Sequence, residues 1–183
     1  IYQRAKEAGH IHTREVEQAY CEHCRMFLPD RFVRGICPKC GAEDQYGDSC
    51  ESCHATYTPV DLKNPACSVC GQPPVRRESR HFFFALADFT NQLAEWIGAG
   101  HVHDQVRNKL QEWFDQGLRD WDISRDAPYF GFLIPGETEK YFYVWLDAPI
   151  GYMGSTMNFC QRTGRSFEDY WCDKDTEIHH FIG

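Results

Sequence analysis

Eight of the ten cysteines in this chain stand in four Cys-x-x-Cys pairs: Cys21/Cys24, Cys37/Cys40, Cys50/Cys53 and Cys67/Cys70. At that spacing two sulfurs sit on one tight turn, with the bite of two corners of a tetrahedron. Two pairs complete a four-thiolate site, so eight cysteines supply two zinc ions. A disulfide framework is the competing chemistry. It goes with scattered cysteines behind a secretory signal peptide, and neither is visible. Spacing leaves the pairing open among sequential, nested and crossed schemes. Nesting would put Cys37/Cys40 with Cys50/Cys53 inside, and Cys21/Cys24 with Cys67/Cys70 outside. His23 and His54 lie beside ligand cysteines and could replace a sulfur. The cysteines already make complete sets, so both read as surface histidines.

The elements that must position these sulfurs fall into zones. Residues 1–20 open with helix formers from Arg4 to Ala8, a stop at Gly9, and a loosely alternating strand from His12 to Tyr20. Residues 21–74 are rich in Gly, Pro, Asp and Asn and poor in large aliphatics, so metal must hold them together. From 75 onward the character changes. His81-Phe82-Phe83-Phe84 reads as a buried strand running to Asp88, a helix N-cap. Phe89, Leu93, Trp96 and Ile97 recur at helical spacing before Gly98 and Gly100. A second helix, Val102 to Gln116, aligns Val106, Leu110, Trp113 and Phe114 and stops at Gly117. This aromatic stripe reads as core rather than a base-stacking platform. His101 and His103 read as surface histidines. Residues 139–183 read as β-α-β. The strands are Tyr141–Leu146 and Thr176–Ile182, with a turn at Asp147-Ala148-Pro149 and a helix from Gly151 to Arg162. Cys160 and Cys172 are expected as small buried apolar residues.

Composition bounds the function. The 183 residues suit one domain, or one and a part, and 42% hydrophobic residues with 15% aromatic can fill a core. No run approaches a membrane span, and a cytoplasmic location is expected. Both ends look cut from a larger protein. The formal charge is −8, and eight thiolates with two zinc ions would bring it to about −12. Such a chain is a poor general polyanion binder, although Arg76, Arg77 and Arg80 could form a local basic patch.

Two longer motifs carry a resemblance. Trp121-Asp122-Ile123-Ser124-Arg125-Asp126-Ala127-Pro128-Tyr129-Phe130-Gly131, followed by Tyr143-Val144-Trp145-Leu146-Asp147-Ala148-Pro149-Ile150-Gly151-Tyr152, resembles bacterial methionyl-tRNA synthetase, a class I family. The Phe181-Ile182-Gly183 ending fits the same family. The resemblance implies an α+β zinc-ribbon or knuckle insertion with flanking helices, joined to part of an α/β, Rossmann-like catalytic domain. Residues 1–138 would be the connective peptide, with zinc knuckles at about 21–74 and helical and strand support at 75–138. Residues 139–183 would return the chain to the catalytic domain. The nested zinc arrangement is implied too, with both metals structural.

The same resemblance implies that Trp145, Ala148, Pro149 and Tyr152 line the methionine side chain. A thioether is apolar and polarizable, so an indole and a proline ring suit it, and a tyrosine hydroxyl can donate to sulfur. Arg125 would either steady a carboxylate or phosphate or pair with Asp122 or Asp126. The family's ATP signatures, His-Ile-Gly-His and Lys-Met-Ser-Lys-Ser, are absent from these residues. The parent is therefore expected to ligate methionine to its tRNA with ATP, and the isolated chain to be inactive. Two other readings remain: a stand-alone zinc-ribbon module that binds nucleic acid, and a rubredoxin-like iron electron carrier.

Overall fold

Helix-forming residues open the chain as α1 (Tyr2–Glu7), and Gly9, at φ +83°, turns it out of the helix. The computed structural model describes residues 1–180 and divides into two units after Tyr141. In the first unit the chain passes through β1 (Ile11–Cys21), β2 (Met26–Phe27), β3 (Val33–Ile36), β4 (Gln45–Tyr46), β5 (Lys63–Cys67) and β6 (Val75–Phe84). It continues with α2 (Thr90–Trp96), α3 (Asp104–Gln116), β7 (Trp121–Asp122), β8 (Ser124–Asp126) and β9 (Lys140–Phe142), the last crossing the boundary.

The long antiparallel ribbon of β1 and β6 is the spine, in register from Ile11 opposite Phe84 to Tyr20 opposite Val75. With β2 and β7 it makes a four-stranded sheet ordered β2-β1-β6-β7, while β4-β3-β5 form a second sheet and β8-β9 a third. Alternation decides the buried face of β6: Ser79 and His81 point inward, and Phe82 and Phe83 are also buried. The cysteine segment hangs between β1 and β6. Its core is small: Ala19, Cys21, Leu28, Val33, Leu62 and Cys67 are buried together, two of the six being cysteines.

Several expected elements form, with different ends or roles. The strand expected from His12 is β1, and it reaches Cys21. Asp88 is not the cap of α2. It lies in a short 3-10 turn, where its carboxylate accepts from His10 Nδ1 at 2.8 Å. Gly100, at φ +87°, breaks the chain after α2 as the glycines suggested, and Gly117 at φ +81° ends α3. His103 is more than a surface histidine: it caps α3, its ring accepting from the Gln105 N–H at 3.3 Å. The aromatic stripe of these helices is not core. Neither helix has a buried residue, and Trp96 and Trp113 are 51% and 55% exposed. Helical periodicity marks a face fit for burial, not the element that buries it.

In the second unit the β-α-β reading gives way to helices. The expected strand Tyr141–Leu146 is cut to β9, and α4 (Val144–Thr163) begins inside it. A six-residue apolar run cannot be told from a helix start by periodicity alone. Here Leu146, Ile150, Met153 and Met157 continue at helical spacing, and the helix runs through Pro149 instead of turning there. Gly164, left-handed at φ +71°, ends α4 with its N–H on the Cys160 carbonyl. Residues 176–180 are not a strand; Thr176 closes a turn, its hydroxyl donating to the Asp169 carbonyl at 2.8 Å. Phe181, Ile182 and Gly183 lie outside the described residues. After α4 comes α5 (Glu168–Trp171), against which Phe159 packs edge-on to Tyr170, with ring centroids 6.1 Å apart. Cys160 is buried as expected. Cys172 is exposed, because it sits at the end of this short helix.

Candidate metal centre

Each Cys-x-x-Cys pair is built as the same backbone device. A strand or extended segment delivers the first cysteine, a turn follows, and the residue after the second cysteine takes a left-handed conformation. Those residues are Arg25 (φ +55°), Gly41 (φ +80°), His54 (φ +57°) and Gly71 (φ +75°). The reversal aims backbone N–H groups back at the first sulfur. The N–H groups of Cys24 and Cys53 donate to Cys21 and Cys50 Sγ at 3.4 Å, and those of Lys39 and Cys40 to Cys37 Sγ at 3.4 and 3.5 Å. Closing carbonyl bonds repeat as well: Gly41, His54 and Gly71 each donate N–H to the carbonyl of the first cysteine four residues earlier. Glycine meets the left-handed turn twice without a steric penalty. Arg25 and His54 adopt it at a cost of about 1–2 kcal/mol each.

The turns bring the sulfurs together in two groups. Cys21, Cys24, Cys67 and Cys70 form one, and Cys37, Cys40, Cys50 and Cys53 the other; within each, all four sulfurs lie within 4.8 Å of one another. This is the nested grouping. Across pairs, Cys21 is 3.4 Å from Cys70 and Cys24 4.0 Å from Cys67, while Cys37 is 3.8 Å from Cys53 and Cys40 3.6 Å from Cys50. A tetrahedron with metal–sulfur bonds of about 2.3 Å has sulfur–sulfur edges of about 3.8 Å. A disulfide needs about 2.05 Å, and all ten cysteines are free. The donor set therefore fits a tetrahedral thiophilic cation. His23 and His54 join neither group.

The electrostatics of the thiols point the same way. The Cys24 N–H holds the Cys21 thiol down to about 7 against the upward pull of burial. At Cys37 burial pushes up, but the Cys40 and Lys39 N–H groups outweigh it and bring the thiol to about 6. Cys24 is pushed up to about 12, first by Cys70. At Cys53 the Ala55 N–H favours the thiolate, yet the neighbouring Cys40, Cys50 and Cys37 sulfurs push it up to about 12. One sulfur in each group ionises readily and a neighbour resists, because negative charges cannot share so small a volume. A bound cation removes that conflict.

The two groups differ in setting. In the outer group Cys21 and Cys67 are buried and Cys24 and Cys70 half-buried, all packed into the small core. In the inner group Cys37 and Cys50 are buried, but Cys40 and Cys53 are exposed.

The remaining residues singled out by sequence lie elsewhere. Trp145, Ala148, Pro149 and Tyr152 are not split between a strand end and a turn. They fall on one side of α4, spaced three, four and seven residues from Trp145. All four are exposed, Trp145 at 63% and Tyr152 at 65%. Arg125, on β8, donates to the Ser124 carbonyl at 2.6 Å and lies 3.7 Å from Asp122. Arg76, Arg77 and Arg80 do not form a free basic patch. Arg76 pairs with Glu17 at 3.0 Å, Arg77 stacks over Tyr20, and Arg80 grips both oxygens of Glu137 at 2.7–2.8 Å.

One cluster escaped the sequence reading, which took His81 as part of an apolar strand. His81 is buried, with Nδ1 2.6 Å from Asp122 and Nε2 3.0 Å from Asp126. Both carboxylates only accept, so each is served by a ring N–H when the imidazole is charged. The Gln18 carboxamide also meets Nε2, at 2.6 Å. Lys140 pairs with Asp126, which also accepts from the Ser79 hydroxyl. Ser124 closes the cluster, receiving the Phe82 N–H at 2.9 Å and donating to Asp122 at 3.1 Å. The available signal was the period-two spacing of Ser79 and His81 on the inward face of β6.

Comparison with known proteins places the whole chain. The sequence model of the family described as "tRNA synthetases class I (M)" matches residues 1–183. Among solved structures, the apo methionyl-tRNA synthetase of Mycobacterium tuberculosis is similar over 93% of this chain, at 20% identity and a TM-score of 0.55. The methionyl-adenylate-bound form of that enzyme matches over 93% of this chain at 20% identity, with a TM-score of 0.47. The chain spans 30% and 28% of the lengths of those two chains. With its motifs, its mixed α+β knuckle fold and a family match over every residue, this chain belongs to the class I (M) tRNA synthetases.

Proposed function

We propose that this chain is the zinc-bearing insertion of a methionine–tRNA ligase, with the start of the return to its catalytic domain, residues 1–138 and 139–183 respectively. The observation that carries the reading is the convergence of eight cysteine sulfurs into two nested tetrahedral groups in a chain matched throughout by the family. Two zinc ions would be held, one by Cys37, Cys40, Cys50 and Cys53 and one by Cys21, Cys24, Cys67 and Cys70. Each group offers four sulfurs, so the metals cross-link chain segments and leave no position for activating water. Purified protein should be colourless and contain about two zinc ions per chain. Cys37→Ser and Cys50→Ser should each lose the same ion, and Cys21→Ser the other. Iron in the purified protein, or loss of one shared ion on Cys37→Ser and Cys21→Ser, would refute the assignment.

The parent enzyme is proposed to use methionine, ATP and tRNA(Met), in the cytoplasm. No helix among the described residues is long and apolar enough to cross a membrane. Trp145, Ala148, Pro149 and Tyr152 would form one wall of the methionine site. The support from geometry is that one helix face gathers all four and leaves their apolar surface uncovered. Trp145 would close over the thioether, and the Tyr152 hydroxyl would donate to sulfur. In the full-length enzyme, Tyr152→Phe should cost about 1 kcal/mol in kcat/KM for methionine, the worth of one neutral hydrogen bond. Norleucine, which has no sulfur, should be affected much less. Equal losses for both amino acids would mean that Tyr152 acts by packing. Arg125 is proposed to orient a carboxylate or phosphate. This chain alone, without the two ATP signatures, should not exchange pyrophosphate into ATP. The acidic charge and the engaged arginines disfavour a free-standing nucleic-acid module.

A further inference from the structure

We propose that the two tetrads are unequal, and that the inner one is an oxidation site through which the protein releases metal while the outer one keeps its own. The inference rests on the zinc reading and concerns which sulfurs an oxidant reaches. Each pair of the inner group offers one exposed cysteine, Cys40 and Cys53, beside a buried one, Cys37 and Cys50. The outer group exposes none: Cys21 and Cys67 are buried, and Cys24 and Cys70 are half-buried against Ala19, Leu28, Val33 and Leu62. Its sulfurs also join distant elements, Cys21 at the end of β1 and Cys67 at the end of β5. The inner sulfurs all come from the turn-rich stretch 37–53, whose one regular strand is the two-residue β4.

The chemistry follows from reach and proximity. A thiolate bound to zinc remains a nucleophile, and exposure decides which one meets peroxide. The Cys40 sulfur attacks one peroxide oxygen, the O–O bond breaks, and hydroxide leaves a sulfenic acid. The Cys50 sulfur, 3.6 Å away, attacks that sulfur, forms the disulfide and expels a second hydroxide. Two thiolates lose two electrons and one peroxide gains them. A cation held there would be left with two of its four ligands and would be released. Cys53 follows the same course with Cys37, 3.8 Å away. The pairs that close are therefore across knuckles, Cys40–Cys50 and Cys37–Cys53.

The test is stepwise hydrogen peroxide on the zinc-loaded chain, with release followed by a chromogenic chelator and disulfides mapped by peptide mass spectrometry. Zinc content is measured first. One ion should leave at least tenfold faster than the other, with Cys40–Cys50 or Cys37–Cys53 peptides appearing at the same rate. Fewer than two zinc ions at the start would overturn the metal reading, and this inference with it. Two ions released at one rate, or disulfides appearing first among Cys21, Cys24, Cys67 and Cys70, would overturn the inference alone.

Discussion

On the proposed zinc assignment, chelation is expected to unfold residues 21–74 while the β1–β6 ribbon persists. Apart from cysteine, only Ala19, Leu28, Val33 and Leu62 are buried in the core beside the outer tetrad. Leu28, Val33 and Leu62 are each worth about 1.5–3 kcal/mol on full burial, and Ala19 less. Every ordered residue costs about 1–2 kcal/mol of backbone entropy. Apolar packing cannot order so long a segment. Structural zinc sites bind with about 10–16 kcal/mol of apparent free energy near neutral pH, and that energy becomes folding energy. Hydrogen exchange should therefore show amides of β3 and β5 losing protection when metal is removed, with the centre of β1 and β6 keeping it. Unchanged protection in Val33–Ile36 and Lys63–Cys67 would mean that packing, not metal, holds the segment. Cys21→Ser should act more widely than Cys40→Ser, because Cys21 ends the central strand β1 and Cys40 lies in a local turn.

Replacing His81 by leucine should cost about 3–5 kcal/mol, the scale on which a buried pair loses one partner. The leucine would fill the space but leave Asp122 and Asp126 facing an apolar group. Lys140 and Ser79 still serve Asp126 and Ser124 still donates to Asp122, which places the cost at the lower end of that range. His81→Gln should cost less, since an amide can still donate to one carboxylate. The pH dependence separates the charge from the packing. At His81 burial pulls the imidazole down, but hydrogen bonds to Asp122 and Asp126 more than reverse this, and it titrates above its usual range. Its contribution is fully present below the ordinary histidine value and fades as pH rises through the raised one. Burial pushes Asp122 and Asp126 up, yet His81 outweighs it and holds both below the usual carboxylate range. Their contribution is present above the ordinary aspartate value and fades as pH falls through the lowered one. The stability difference between wild type and His81→Leu, measured by denaturant unfolding of the zinc-loaded chain, should thus be largest between these limits and shrink on both sides. A difference independent of pH would show that His81 acts by shape alone.

Legibility followed the range of the interaction. Cys-x-x-Cys turns are local, so the eight sulfurs and their chemistry stand in the sequence at a spacing few other functions need. The long motifs around Arg125 and Trp145 are equally local and pointed to the family that the comparison shows. Gly9, Gly117 and Gly164 mark chain reversals because only a residue without a Cβ takes positive φ cheaply. Arg25 and His54 take the same conformation without any such marker, because there the repeated turn, not the residue, imposes it.

By itself, then, the sequence determined which eight cysteines stand in pairs, the positions of most turns, and the apolar faces of the helices. Tertiary structure decided three things that residue spacing left open. It grouped the pairs as a nest, since β1 and β5 carry Cys21 and Cys67 to the same core whereas Cys37 and Cys50 meet in a local loop. It turned His81 from a strand residue into the centre of an ion cluster by setting Asp122 and Asp126 across from it. And it made Val144–Leu146 the first turn of α4, gathering Trp145, Ala148, Pro149 and Tyr152 on one face, because a short apolar run is compatible with strand and helix alike and only its surroundings choose.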